Sequence, residues 1–251
     1  MVEVRRSRFA TALVASLLLL PLPSSAQEAN DPLEGLNRAV YQFNDVVDGL
    51  VLEPASELYG LIVPGPVRRT IRNVLDNLSA PVVFTNDMLQ GERERAGVTF
   101  SRFMINSLMG GLGLFDVASA FGYEKHSEDF GQTLAVWGMG EGIYLVLPLL
   151  GPSTPRDATG LAVDSFVFDP MAYLAPIEVR LGRTAVNAVD TRYVLAPAIH
   201  DLRTNSIDPY ATARTVYLQH RASEIRNGLP PTGNESYEGI FKEEPDVDQR
   251  Q

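Results

Sequence analysis

Few side chains in this sequence can do covalent chemistry. The available bases and nucleophilic nitrogens are three histidines, His126, His200 and His220, and two lysines, Lys125 and Lys242, and there is no cysteine at all. The missing cysteine excludes disulfides, thiolate metal sites and cysteine nucleophiles together. The histidines stand apart, and none has a second candidate ligand at metal spacing. There is no G-x-S-x-G elbow, no H-E-x-x-H pair and no phosphate-cradling G-x-x-x-x-G-K-[ST] loop. Asp129-Phe130-Gly131 matches a kinase triplet without any other kinase element, and Gly138-Met139-Gly140-Glu141-Gly142 lacks the spacing of a dinucleotide loop, reading better as a turn or hinge. His126 beside Glu128 and Asp129 has the makings of a base with an acidic orienter; a solvated polar loop between two apolar segments explains the cluster as well. No cofactor is implied, and no enzyme activity is expected.

The elements around these residues are mainly helical. Leu33, Leu36, Val40, Phe43 and Val47 recur at spacings of three and four, one apolar stripe on a helix that Asp31-Pro32-Leu33-Glu34 opens as cap, first-turn proline and capping box. A second helix follows Pro64-Gly65-Pro66, with Val67, Ile71, Val74 or Leu75, and Leu78 on one face. A third runs from about Glu92 to Leu108 before Gly110, Gly111 and Gly113 break it. Thr154-Pro155-Arg156-Asp157 and Asp208-Pro209 repeat the cap-and-proline start, and Asn227-Gly228 suits a left-handed helix end. More helical pattern runs from about Pro176 to Asp190, and one short hairpin is expected around Trp137 to Tyr144. Between Phe103 and Pro155 only Asp116, Glu124, Lys125, Glu128, Asp129 and Glu141 are charged, yet the apolar pieces there are too short and too broken to span a bilayer.

The beginning of the chain carries an address. Arg5, Arg6 and Arg8 precede an uncharged apolar run from Phe9 to Leu22 and then Ser24-Ser25-Ala26. That order predicts a cleavable secretory signal over residues 1–26 and work outside the cytoplasm. The run is shorter than the roughly 20 residues of a spanning helix. A helical domain over 27–228 and an acidic, proline-containing disordered tail over 229–251 follow. With 21 basic against 31 acidic residues, a net charge of −10, nucleic acid is not an expected partner.

The motifs taken in order resemble one family. Asp31-Pro32-Leu33-Glu34-Gly35-Leu36-Asn37-Arg38, Tyr41-Gln42-Phe43-Asn44 and Val63-Pro64-Gly65-Pro66-Val67-Arg68 are similar to the MlaA/VacJ family of outer-membrane phospholipid transport proteins. So are Asn86-Asp87, Leu89-Gln90-Gly91, Arg102-Phe103-Met104-Ile105-Asn106-Ser107, Glu128-Asp129-Phe130-Gly131-Gln132-Thr133-Leu134 and Tyr144-Leu145-Val146-Leu147-Pro148-Leu149-Leu150-Gly151-Pro152-Ser153. The resemblance runs from about Asp31 to Gly228. It implies a mostly α single domain of amphipathic helices forming a flat ring around a central channel, on the periplasmic side of a Gram-negative outer membrane. It further implies a trimeric outer-membrane porin and a soluble periplasmic lipid-carrier protein as partners, and phospholipid as cargo, moved passively from the outer leaflet to maintain lipid asymmetry. Under that resemblance Leu36, Asn37, Phe43 and Asn44 border membrane and conduit, and Gly138, Gly140 and Gly142 form a mobile turn at its mouth. Solvated asparagines and an ordinary glycine turn remain the plain alternative. Members usually end the signal with a lipobox cysteine; Ser24-Ser25-Ala26-Gln27 stands in its place here, so lipidation is not expected. A non-catalytic envelope protein that braces porins and a periplasmic lipid hydrolase are the rival functions.

Overall fold

The fold is described from a computed structural model, which covers residues 31–230. The expected signal over 1–26 and most of the expected tail lie outside the described residues. In chain order the elements are α1 (Glu34–Val47), a π-helical turn (Asp48–Leu52), α2 (Glu53–Ile62), α3 (Gly65–Gln90), α4 (Arg93–Leu108), a 3-10 turn (Ala118–Phe121), α5 (Phe130–Val136), β1 (Leu145–Leu147), β2 (Gly151–Ser153), α6 (Pro155–Val163), a second π-helical turn (Asp164–Phe168), α7 (Met171–Leu174), α8 (Ile177–Asn205) and α9 (Pro209–Ile225). The protein is mostly helical with one short antiparallel hairpin.

Local chemistry explains several of these boundaries. Thr154 caps α6 by accepting the Asp157 amide, with Pro155 at the first turn. Asp208 caps α9 by accepting the Ala211 amide ahead of Pro209, and after α9 Asn227 and Gly228 both adopt positive φ. Helix α3 ends on Gly91 in the left-handed region. Two helices run past internal prolines: α3 continues through Pro81 to Gln90, and the helical pattern expected from about Pro176 to Asp190 extends as α8 through Pro197 to Asn205.

Two expectations are corrected. Asp31 does not cap α1: Leu33 holds the cap position without a side-chain bond. The Asp31 carboxylate instead accepts from Asn37 Nδ2 (2.8 Å), Arg214 (3.0 Å) and the Tyr210 hydroxyl. Charge-assisted bonds to α9 outcompete a local cap. The hairpin lies later than Trp137 to Tyr144, pairing Leu145 with Ser153, Val146 with Pro152 and Leu147 with Gly151. The segment 137–144 supplies its approach, with Gly138 and Gly142 at positive φ.

Helix packing closes into a circuit. β1 packs on α1, α2 on α8, α8 on α3, α3 on α4 and α5, α5 on α6 and α9, and α9 returns to β2. Backbones meet closely where α5 crosses α6: a Cβ on Gly160 would stand 2.3 Å from the Gly131 amide nitrogen. Only glycine permits backbones that close.

Candidate functional site

The first helix and the hairpin form one seam. Asn37 is 1% exposed, and its carboxamide donates to the Tyr144 carbonyl (3.0 Å) and accepts the Val146 amide (2.9 Å). Two turns on, Asn44 donates to the Leu147 carbonyl (2.9 Å) and accepts the Leu149 amide (2.8 Å). Each asparagine therefore acts as a pseudo-peptide, giving the edge strand the donor and acceptor it lacks. The second one also holds Leu149 at φ 65°, a conformation that costs a leucine free energy. Tyr144, Val146 and Tyr210 form the buried apolar cluster under this seam, with Val40, Tyr41, Tyr217 and Leu218 packed against it. The side chains of Leu36 and Phe43, from the same helix, point outward and are exposed. The four residues expected together at a conduit thus divide: the two asparagines turn inward and spend their polar groups on hairpin backbone, while the two apolar residues face out.

Gly138, Gly140 and Gly142 sit between α5 and β1. Open space surrounds the first two, and Gly142 lies against Pro155. The positive φ of Gly138 and Gly142 is what requires glycine there.

The His126 cluster does lie in a loop, between the 3-10 turn and α5, but His126 and Glu128 are tied down there and not solvated. His126 Nε2 lies 3.1 Å from both Asp87 carboxylate oxygens and 3.1 Å from Thr99 Oγ1. Thr99 itself donates to Asp87 (2.6 Å), which is fully buried. Glu128, also buried, accepts from Arg95 (2.5 Å) and Gln90 (2.8 Å), and burial raises its carboxyl above the usual range despite those bonds. A nucleophile relay uses the two ring nitrogens for different partners. Here hydroxyl and carboxylate meet the same nitrogen, so the geometry is a strut between α3, α4 and the 125–129 segment.

A second buried polar network ties α5, α6 and α9 together. Arg221 reaches Asp129 (2.7 and 3.0 Å), Asp157 (2.8 Å) and Glu224 (2.9 Å). Burial opposes ionisation of Asp157, yet the hydrogen bonds from Arg221 and Tyr217 hold its carboxyl at about 2. Asp164 has no such cation in contact. It accepts only from the Phe130 amide (2.8 Å) and Asn86 (2.9 Å), and burial pushes it up to about 6. Sequence reasoning missed this network; the double cap-and-proline starts at Thr154 and Asp208, which bring Asp157 and Arg221 onto adjoining helices, were the available signal.

Taken together the molecule is inverted relative to an ordinary globular domain. Among the described residues the largest fully buried side chains are Gln132, Asn37, Asn86, Thr133, Thr154, Asp87 and Ser56. Among the same described residues the buried apolar ones are only Ala96, Ala118, Leu134, Tyr144, Val146 and Tyr210. Large apolar side chains lie outside: Leu61 is 84% exposed, Leu174 80%, Leu112 79% and Leu108 76%. So extensive an apolar exterior marks a surface that a partner or a lipid phase must cover. No described helix is long and apolar enough to cross a membrane, and no group of His, Asp or Glu among the described residues is placed to hold a metal ion.

Comparison with known proteins agrees with this architecture. The family model for the MlaA lipoprotein matches residues 29–224. The chain is 34% identical to the intermembrane phospholipid transport system lipoprotein MlaA of Haemophilus influenzae, over 93% of this chain and 96% of that one. It is also 34% identical to the protein of that name from Escherichia coli, over 96% and 98% of the two chains. A solved MlaA chain, from work on the structural basis for maintenance of bacterial outer membrane lipid asymmetry, superimposes with a TM-score of 0.71 at 34% identity, covering 78% of this chain and 98% of that one. A match spanning α1 to α9 in sequence and in backbone leaves one conclusion: the chain belongs to the MlaA lipoprotein family.

Proposed function

We propose that this protein is the outer-membrane component of an intermembrane phospholipid transport system, passively conducting mislocalised phospholipids from the outer leaflet toward a soluble periplasmic carrier and so maintaining lipid asymmetry. The observation that carries this reading is the inverted distribution of polarity. A phospholipid that changes leaflet must take a charged headgroup past hydrocarbon, and a bare charge there is costly. A body whose rim is Leu36, Phe43, Leu61, Leu108 and Leu174 and whose interior is held by asparagines, threonines and ion pairs suits that task. Its apolar helices lie in the bilayer interface and need not span it. The relatives' names point to the same system.

In this reading Leu36 and Phe43 meet acyl chains, while Asn37 and Asn44 keep the hairpin seated beside them. Gly138, Gly140 and Gly142 give the approach to the hairpin the freedom to move at the mouth of the conduit. A ring of helices around a channel follows from the closed packing circuit once lipid covers its outside. A trimeric porin and the carrier are the partners, one bracing the apolar rim and the other receiving cargo. No covalent step is required, and directionality comes from those partners. Extraction of the protein in mild detergent, followed by mass spectrometry of bound lipid, tests the assignment: intact phospholipid at stoichiometric levels is expected. A lipid-free protein still bound to porin would instead favour a bracing role, and cleaved lipid a hydrolase.

A further inference from the structure

A cavity of about 210 Å³ opens between α3 and α4 and is closed on its third side by residues 125–127. Asp76, Asn77, Thr99, Arg102, Lys125 and His126 contribute its polar lining. Its floor is fixed. Arg102 is spoken for by both oxygens of Asp116 (3.0 and 3.1 Å), Ser119 and the Tyr123 carbonyl, and Thr99 and His126 are bound to Asp87. Asn77 is bound to Ser107 (3.0 Å). Its rim is different. Lys125 Nζ meets Asp76 at 2.7 Å with side chains 55% and 41% exposed, and Lys125 is one of only two lysines in the chain. An ion pair so exposed is held by less than about 1 kcal/mol, and the four-carbon lysine stem swings easily.

We infer that this cavity is a headgroup subsite for a zwitterionic phospholipid of the phosphoethanolamine type, with Lys125 taking the phosphate and Asp76 the ammonium. The inference rests on the proposed transport reading and names the cargo class. A zwitterion entering between the two rim residues gives each charge an opposite partner, Lys125 to phosphate and ammonium to Asp76, so no uncompensated charge enters the cavity. A headgroup carrying phosphate alone would satisfy Lys125 and leave Asp76 facing it, a like-charge contact that opposes binding. The volume fits as well. It lies below the roughly 300–1,000 Å³ of sites that enclose a whole drug-sized ligand, which suits a headgroup whose acyl chains stay outside.

The test uses the full chain in mild detergent, exchanged against vesicles of equal phosphatidylethanolamine and phosphatidylglycerol, with bound lipid quantified by mass spectrometry. Wild-type protein is expected to enrich phosphatidylethanolamine. Asp76→Asn should shift the bound ratio toward phosphatidylglycerol by about threefold, the size of effect a partly exposed ion pair supports, whereas Lys125→Gln should lower retention of both lipids. Excess free phosphoethanolamine should displace lipid and inorganic phosphate should not. Both residues are half-exposed, so unchanged thermal unfolding of the variants verifies the fold. An unaltered lipid ratio in Asp76→Asn overturns the subsite while leaving transport standing, as does equal displacement by inorganic phosphate. A wild-type protein that retains no phospholipid removes the transport reading and the subsite with it.

Discussion

Two regions of this molecule solve the stability problem in opposite ways. The block made by α5, α6, α9 and the hairpin is held from within, by Arg221 between Asp129 and Asp157, by the glycine crossing of Gly131 on Gly160, and by a small tyrosine-rich core. The arc of α2, α3, α7 and α8 buries little apolar surface and displays Leu58, Leu61, Tyr173, Leu174, Ile177 and Leu181 outward. Hydrophobic burial, usually the largest favourable contribution to folding, is available to that arc only from whatever covers it. On the proposed reading the polar block carries specificity of fold and the arc carries attachment. Substitutions in the two regions should separate these properties.

The sharpest separation is expected at Arg221. Replacing it with methionine removes the cation that Asp129 and Asp157 share and leaves Asp157 with the Arg156 cation alone, and breaking such a buried pair costs about 3–5 kcal/mol. Thermal unfolding in detergent should show it as the largest loss of the series. Gly160→Ala comes next: its Cβ would meet backbone at 2.3 Å, so α5 and α6 must separate, at about 1–3 kcal/mol. Asn37→Leu should cost about 1–3 kcal/mol by leaving the Val146 amide and the Tyr144 carbonyl unpaired, and Asn44→Leu less, since Asn44 is only half-buried. Measured as surface phospholipid in cells, both asparagine variants should show disturbed asymmetry with protein at normal levels. Unchanged asymmetry would detach the hairpin seam from transport.

The titration of Asp164 gives a smaller and signed effect. Its carboxyl sits at about 6 in the folded protein against the ordinary 3.8, so the folded state holds this proton more tightly than the unfolded chain. The contribution of this site to stability is therefore greatest at low pH, falls as pH rises from about 4 to about 6, and stays low above that. Asp157 acts the other way, stabilising above 3.8 and losing its contribution as pH falls toward 2. Melting temperatures of the wild type and Asp164→Asn should lie closest near pH 4, where both side chains are neutral, and separate toward pH 7, where only the wild type carries the cost of a buried charge.

Smallest in stability and largest in location is the exterior. Leu61→Glu and Leu174→Glu touch almost nothing in the fold and should change unfolding in detergent by no more than about 0.5 kcal/mol. The same variants should move into the soluble fraction on high-salt or carbonate washing of membranes. If they stay bound while the wild type does, the apolar arc does not attach the protein.

The amino-acid sequence by itself determined what is local and what is shared. Helical class, the caps at Thr154 and Asp208, the left-handed end at Asn227-Gly228 and the family resemblance were all legible, because each is written within a turn or two of chain or in a motif read in order. Tertiary structure alone decided which polar residues are inside. Asn37 and Asn44 carry the same local signal as a solvated asparagine, and only a strand more than 100 residues away makes them backbone clamps. Asp31 looked like a cap until Arg214 and Tyr210 arrived from the other end of the chain. His126 lies in a loop as its sequence suggests, and only the fold seats it against the buried Asp87. The physical reason is the same in each case: a cap or a helical period is fixed by neighbours in sequence, whereas the burial of a polar group is fixed by the partner that satisfies it, and that partner is chosen by the fold.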